Sequence, residues 1–165
     1  MEKSEFLSMF AGPSEFLNLP CWLTTSGEGV GSIIGLSFGD RLPTENIIKK
    51  NGTVFNFEPS SHGLMVYCKW KFSRNFKSIC DSNSSNANDG EMVTGLKQLI
   101  GNKIVNIEVD SSTLDLRIVF TNSYVLQCFC EDKGEPVEQY TLFFKDFSAS
   151  VHSHGLIEIE VKAQY

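Results

Sequence analysis

Between residues 104 and 130 apolar and polar side chains alternate with the period of two that a half-buried β-strand requires. Val105, Ile107 and Val109 alternate with Asn106, Glu108 and Asp110. Leu114, Leu116, Ile118 and Phe120 alternate with Asp115, Arg117 and Val119. Thr121-Asn122-Ser123 turns the chain, and Tyr124, Leu126, Cys128 and Cys130 resume the period. These runs predict an antiparallel meander with one buried face. A second alternating stretch sets Leu64, Val66, Cys68, Trp70 and Phe72 against Met65, Tyr67, Lys69 and Lys71, with the lysines outward. Further strands are predicted at 32–38, 53–57, 76–80, 140–145 and 156–162, for about nine in all. Glu158, Glu160 and Lys162 fall on the outer face of the last one. Gly39-Asp40 ends the first of these strands, Asn51-Gly52 is a hairpin turn, and Pro59 to Gly63 turns the chain before Leu64.

A period near 3.6 appears in two places. Phe6, Met9 and Phe10 share one face over 3–10, where Gly12-Pro13 stops the helix. Ser14 caps a second turn ahead of Phe16, Leu17 and Leu19. Val93, Leu96, Leu99 and Ile100 predict a helix over 92–100, with Asp89 as cap and Gly101 as terminator. Gly27, Gly29 and Gly31 form a loop without the endings or spacing of a phosphate-binding motif. The expected fold is α+β, mainly β: an antiparallel curled sheet, half-barrel or sandwich, with one or two short helices. Residues 81–90 are polar and turn-prone, and read as a mobile loop within a single domain spanning 1–165. The halves share a loose plan, a helix-like stretch and then strands, without a sequence repeat.

Charge adds a direction to this picture. The net charge is −6, yet residues 1–82 hold 8 basic and 8 acidic side chains, while 83–165 hold 6 and 12. A one-sided acidic field suits a basic partner, and it also serves solubility. Duplex binding would need a basic patch, which is missing. Lys69, Lys71 and Arg74 around Trp70 are the alternative site, for single-stranded RNA or an adaptor role, against the plainer reading of a solvated sheet face.

The candidate chemistry is sparse. Five cysteines give an odd count. Cys128 and Cys130 lie about 7 Å apart on one strand face, half of a zinc site, but no Cys-x-x-Cys accompanies them. Buried reduced thiols are the expectation, with neither metal nor cofactor. Asp110 and Asp115 flank one turn, where solvation keeps both ionised. His62 sits in a Ser-Ser-His-Gly turn. His152 and His154 offer an acid and a base to a ribonuclease, though no Lys or Arg stands beside them in sequence to hold a phosphorane. Surface turn histidines are the plainer reading, and no hydrolase or metalloprotease motif is present. Residues 1–10 lack a signal-peptide pattern, and no apolar run reaches the ~18 residues of a membrane span. A cytoplasmic protein that is not an enzyme is expected.

A resemblance sharpens this. Leu99-Ile100-Gly101 leads into Ile104–Ile107, followed by Asp115–Phe120, a polar turn, Tyr124–Leu126 and the apolar strand Tyr140–Phe144. Leu64–Trp70 belongs to the same plan. Over residues 60–145 this pattern resembles immunity proteins of bacterial contact-dependent growth inhibition toxin–immunity pairs. The resemblance implies a cytoplasmic protein that binds and neutralises the C-terminal toxin domain, often a nuclease, of a cognate effector. Nuclease toxins are commonly basic, so an acidic surface could occupy their active site. The toxin-binding residues expected are Asp110, Asp115, Glu131, Asp132, Glu135 and Glu138, with Tyr124 and Phe129 as aromatic anchors. Nucleic acid and membrane are not expected as direct partners.

Overall fold

The computed structural model describes residues 1–132 and 134–162. Helix α1 (Lys3–Ser8) is followed by strands β1 (Cys21–Thr25), β2 (Ile34–Arg41), β3 (Glu45–Ile48), β4 (Val54–Phe57), β5 (Ser60–Val66), β6 (Lys69–Arg74) and β7 (Lys77–Asp81). Helix α2 (Glu91–Leu96) continues into a 3₁₀ turn at Lys97–Leu99. Then come β8 (Ile104–Val109), β9 (Leu116–Phe120), β10 (Tyr124–Phe129), β11 (Glu138–Phe143), β12 (Phe147–His152) and β13 (Ile157–Val161). The fold is α+β and mainly β, with two large antiparallel sheets, two short helices and no closed barrel. Both sheets contribute to one buried cluster, from Ile34, Leu64 and Tyr140 of one sheet to Trp70, Ile118 and Leu126 of the other. Strands β3 and β4 form a separate hairpin with Ile48 and Val54 exposed.

The strand orders reveal a repeat. The first sheet runs β1-β2-β5-β11-β12-β13 and the second β7-β6-β10-β9-β8. The first half of the chain lays β1, β2 and β5 in one sheet, crosses, and lays β6 and β7 in the other. The second half lays β8, β9 and β10 in that other sheet, crosses back, and lays β11 and β12 in the first. Exchanging the halves turns one order into the other, and β13 is an added edge.

The backbone bonds that join the halves are reciprocal. Asn18 N donates to Ile104 O and Gly101 N to Cys21 O, both at 2.8 Å. Cys21 N donates to Asn102 O at 2.8 Å, and Ile104 N to Leu19 O at 3.1 Å. Asn18 and Gly101 are thus equivalent, and both need positive φ, at 65° and 90°. Trp70 Nε1–H donates to Ser32 O and Tyr140 O–H to Leu114 O, each at 2.8 Å, so one buried aromatic per half ties off the segment before β2 or β9. Equivalent positions hold different residue types (Asn and Gly, Trp and Tyr), which is why the chain reads as unrepeated.

Several expectations need correction. The run 64–72 is not one strand: Tyr67 and Cys68 both donate to Gln139 O, and the chain passes from one sheet to the other there. Cys68, Trp70 and Phe72 stay inward because both sheets face the same core. Residues 60–63 are not a turn but the start of β5, paired with β2 across a bulge between Phe38 and Arg41. Gly39 takes a φ of +73° in that bulge, and Ser61 Oγ accepts the Asp40 N–H at 2.9 Å. A bulge between Ile104 and Asn106 turns Val105 outward and gives Ile104 the core position. Gly90, not Asp89, is the N-cap of α2. Strands β1, β3 and β12 lie where none was expected. The polar segment after β7 is fastened: Asn86 Nδ2 donates to Gly27 O and Gly31 O at 3.2 and 3.1 Å.

Candidate functional site

Three loops distant in sequence converge on a cleft of about 570 Å³. Its lining comes from the β8–β9 turn (Ser112, Thr113, Leu114), the start of the β10–β11 connection (Cys130, Glu131, Asp132) and the β12–β13 turn (His152 to Gly155), with Lys3 of α1 at the side.

Asp110 builds the first loop. Its Oδ1 accepts the backbone N–H groups of Ser112 and Thr113 at 2.8 Å each and the Thr113 hydroxyl at 3.2 Å. An Asp-Ser-Ser-Thr segment favours this turn because a short carboxylate reaches the amides two and three residues on. The N–H groups of Thr113 and Ser112, with Lys3 nearby, hold the Asp110 carboxyl below its ordinary value. Lys3 Nζ donates to Ser112 O at 3.2 Å, which fixes α1 against the turn. Leu114 closes the loop at a φ of +62° with its side chain in the core.

The second loop hangs from Gln139 and Ser153. Gln139 Oε1 accepts Glu131 N at 2.8 Å. Ser153 Oγ accepts Val137 N at 2.8 Å and donates to Glu135 O at 3.1 Å. Acidic side chains on this loop have intramolecular partners: Glu131 Oε1 is 2.8 Å from Lys69 Nζ, and Asp132 Oδ1 is 2.7 Å from His154 Nδ1. His154 sits at a φ of +64° in the third loop, which brings its ring to Asp132. His152 Nε2 is 3.2 Å from Glu158 Oε2 but has no partner in hydrogen-bond geometry.

Of the residues picked from sequence, the structure gathers Glu131 and Asp132 at the cleft, Asp110 at the base of its first loop, and Glu135 on the adjoining segment. Phe129 is 39% exposed beside them on β10, opposite Lys69. The others lie elsewhere. Asp115 accepts Cys130 N on its Oδ1 at 2.7 Å, and its link to Asp110 is the backbone bond from Asp110 N to Asp115 O at 2.9 Å. Glu138 belongs to β11 and accepts the Thr141 hydroxyl. Tyr124 is buried at the far end of β10, stacked on Phe72, with its hydroxyl 3.3 Å from Gln98 Oε1. Lys3 and Cys130 line the cleft unanticipated. Lys3 arrives from a segment more than 100 residues away in sequence, and nothing local signals that.

The rival sites fare differently. Trp70 is 1% exposed and its indole N–H is used within the fold, so no base can stack on it. Arg74 lies over the Tyr124 ring at 4.8 Å and donates to Asn122 O. His62 is not on the surface: it is 8% exposed in β5, packed edge-on against Phe16. Its Nδ1 is 2.9 Å from Ser61 Oγ and its Nε2 3.0 Å from Glu15 Oε1, a relay with the outline of a hydrolytic triad. That hydroxyl already accepts Asp40 N–H at the β2 bulge, and Glu15 also accepts Lys145 N at 3.1 Å, so the relay ties three segments together.

Among the described residues no group of three or more His, Cys, Asp or Glu side chains is placed to hold a metal ion. No described helix is long and apolar enough to cross a membrane. No family model, curated protein or solved structure matches this chain.

Proposed function

We propose that this chain is a binding protein whose recognition surface is the rim of the three-loop cleft, and that its partner is a basic protein domain. The role is that of an immunity protein toward a toxin domain, acting in the cytoplasm. One observation carries the reading: Glu131 and Asp132 line one cleft, whose first loop is built on Asp110 and whose second loop continues to Glu135. The pairs Lys69–Glu131 and His154–Asp132, and Lys3 in the lining, weigh against it, because they neutralise part of the rim charge. Exposed ion pairs contribute roughly 0–1 kcal/mol, so an arriving Arg or Lys can replace the internal partner at small cost. Phe129, exposed beside Lys69, supplies an apolar anchor of the kind that concentrates binding energy.

The test is co-expression and titration with the C-terminal domain encoded by the reading frame immediately upstream. The expected outcome is rescue of growth and a complex that weakens with salt. Glu131→Lys, Asp132→Lys and Glu135→Lys combined should weaken it about 100-fold or more and flatten the salt dependence, because rim charge reversals act on encounter and register. An unchanged affinity in the triple variant would exclude this surface. A neighbouring domain that is neither toxic nor bound would remove the immunity reading.

A further inference from the structure

Two unfinished pieces of β-structure lie on the surface. Strand β13 is the last strand of the six-stranded sheet, with β12 on one side and, among the described residues, no strand on the other. At one end of it the terminal amino group of Met1 donates to Ile157 O at 3.2 Å. A groove of about 460 Å³ runs beside the strand, lined by Met1, Ser150, Ile157, Glu158, Ile159 and Glu160. Val161, at the other end, is 76% exposed. An open edge offers backbone N–H and C=O groups to any extended segment that can reach it.

The second piece is the β3–β4 hairpin. It stands apart from both large sheets, and every residue of β3 is exposed. Ile48 and Val54 are cross-strand partners, and both are exposed. Two strands alone are marginally stable in water, and a third strand or a packed face is what ordinarily holds such a hairpin. Lys49 and Lys50 follow β3 into its turn, where both are exposed.

Charge decides which pairings these two pieces can form. Two β13 strands paired antiparallel about Ile159 would set Glu158 against Glu160, and like charges directly opposite are unfavourable. The carboxylates therefore close the edge to a second β13 and leave it open to a cationic segment. Glu158 has His152 Nε2 at 3.2 Å, while no ion pair holds Glu160 among the described residues. The β3–β4 hairpin is extended, apolar and cationic at its turn, so it matches what the edge lacks.

We propose that the β3–β4 hairpin of one copy adds to the open edge of β13 in a second copy, with Lys49 and Lys50 against Glu158 and Glu160. Backbone hydrogen bonds then extend the six-stranded sheet into its neighbour, and Ile48, Val54 and Val161 lose contact with water. The contact joins two different surfaces. It closes as a pair when each hairpin reaches the other copy's edge, and otherwise continues head to tail. None of these residues lines the three-loop cleft, and the inference does not rest on the immunity reading.

Sedimentation velocity of the full chain at low salt, from about 10 μM to about 1 mM, tests it. The expected result is self-association that grows with concentration and weakens about tenfold or more in about 0.5 M salt. Lys49→Glu with Lys50→Glu should abolish it, and so should Glu158→Lys with Glu160→Lys, because each double variant sets like charges against each other. Mixing the two double variants should restore it, since every hairpin then finds an edge of opposite sign. In the parent chain, hydrogen exchange at β3 and β13 should slow as concentration rises. A parent chain that stays monomeric throughout, protection that falls on other strands, or a mixture of folded double variants that stays monomeric overturns the assignment. The parent-chain measurements need no variant, so a double variant that fails to fold leaves the test standing.

Discussion

Asp110 and Asp115 look alike in the sequence, two carboxylates flanking one turn, and the fold gives them unlike work. Asp110 gathers N–H groups of its own loop, while Asp115 reaches back to Cys130 N. The turn was legible because an acidic residue before Ser-Ser-Thr has a local reason to bend the chain. The partner of Asp115 was not, since it lies across a strand pair. The Asp110 arrangement has a consequence in pH. Its folded pKa lies below the ordinary value of 3.8, so its contribution to stability is present in full above that value. The contribution is lost as pH falls through the lower folded value. Asp110→Asn keeps one acceptor but no charge, so its midpoint in urea should fall below that of the parent chain at neutral pH. The two midpoints should converge in strong acid. A carboxyl titration followed by NMR should place the Asp110 midpoint below that of an unperturbed aspartate. A midpoint at or above 3.8 would contradict the hydrogen bonding described.

At the level of elements, alternation located most of the second sheet correctly and erred where a bulge shifts the count. Leu114, Leu116, Ile118 and Phe120 are all buried, as a period of two requires. Strand β8 breaks the rule: Ile104 and Ile107 are buried, and Val105 between them is 54% exposed. A bulge inserts one residue, and the sequence carries no mark of it because valine suits either face. The two other unexpected strands differ in kind. Strand β12 lies inside its sheet between β11 and β13 and carries a period of two only in Phe147, Ala149 and Val151, too short a run to stand out, whereas β3 is exposed throughout and advertises no buried face. The bulge makes a paired prediction. Val105→Thr should change stability by less than about 0.5 kcal/mol, as surface substitutions do. Ile107→Ala should cost about 2–5 kcal/mol. Chemical denaturation of both variants reads the contrast, and a larger loss at Val105 would mean the strand is in the other register.

For the whole molecule the decisive feature is that each sheet is shared. In the first sheet β5 pairs with β11, and in the second β6 pairs with β10, so the centre of both sheets is a seam between the two halves of the chain. Local patterning cannot reveal such a seam, because pairing partners so far apart leave no periodic trace in either segment. Within the second half the β8–β9 turn belongs to one sheet and the β12–β13 turn to the other, the crossing after β10 joins them, and the first half adds Lys3 to the cleft. A half-chain therefore owns no finished sheet. Residues 1–82 alone would leave β5 and β6 with open edges, and the remainder would leave β10 and β11 in the same state. Expressed separately, each fragment should lack the cooperative unfolding of the parent chain. Mixed together, they should recover it, since the reciprocal bonds among Asn18, Leu19, Cys21, Gly101, Asn102 and Ile104 need no covalent link between the halves. The intact chain should lose Trp fluorescence and far-UV dichroism in one coincident urea transition. Two separated transitions, or a single fragment that unfolds cooperatively by itself, would mean that the halves are independent units and that the seam between them contributes little.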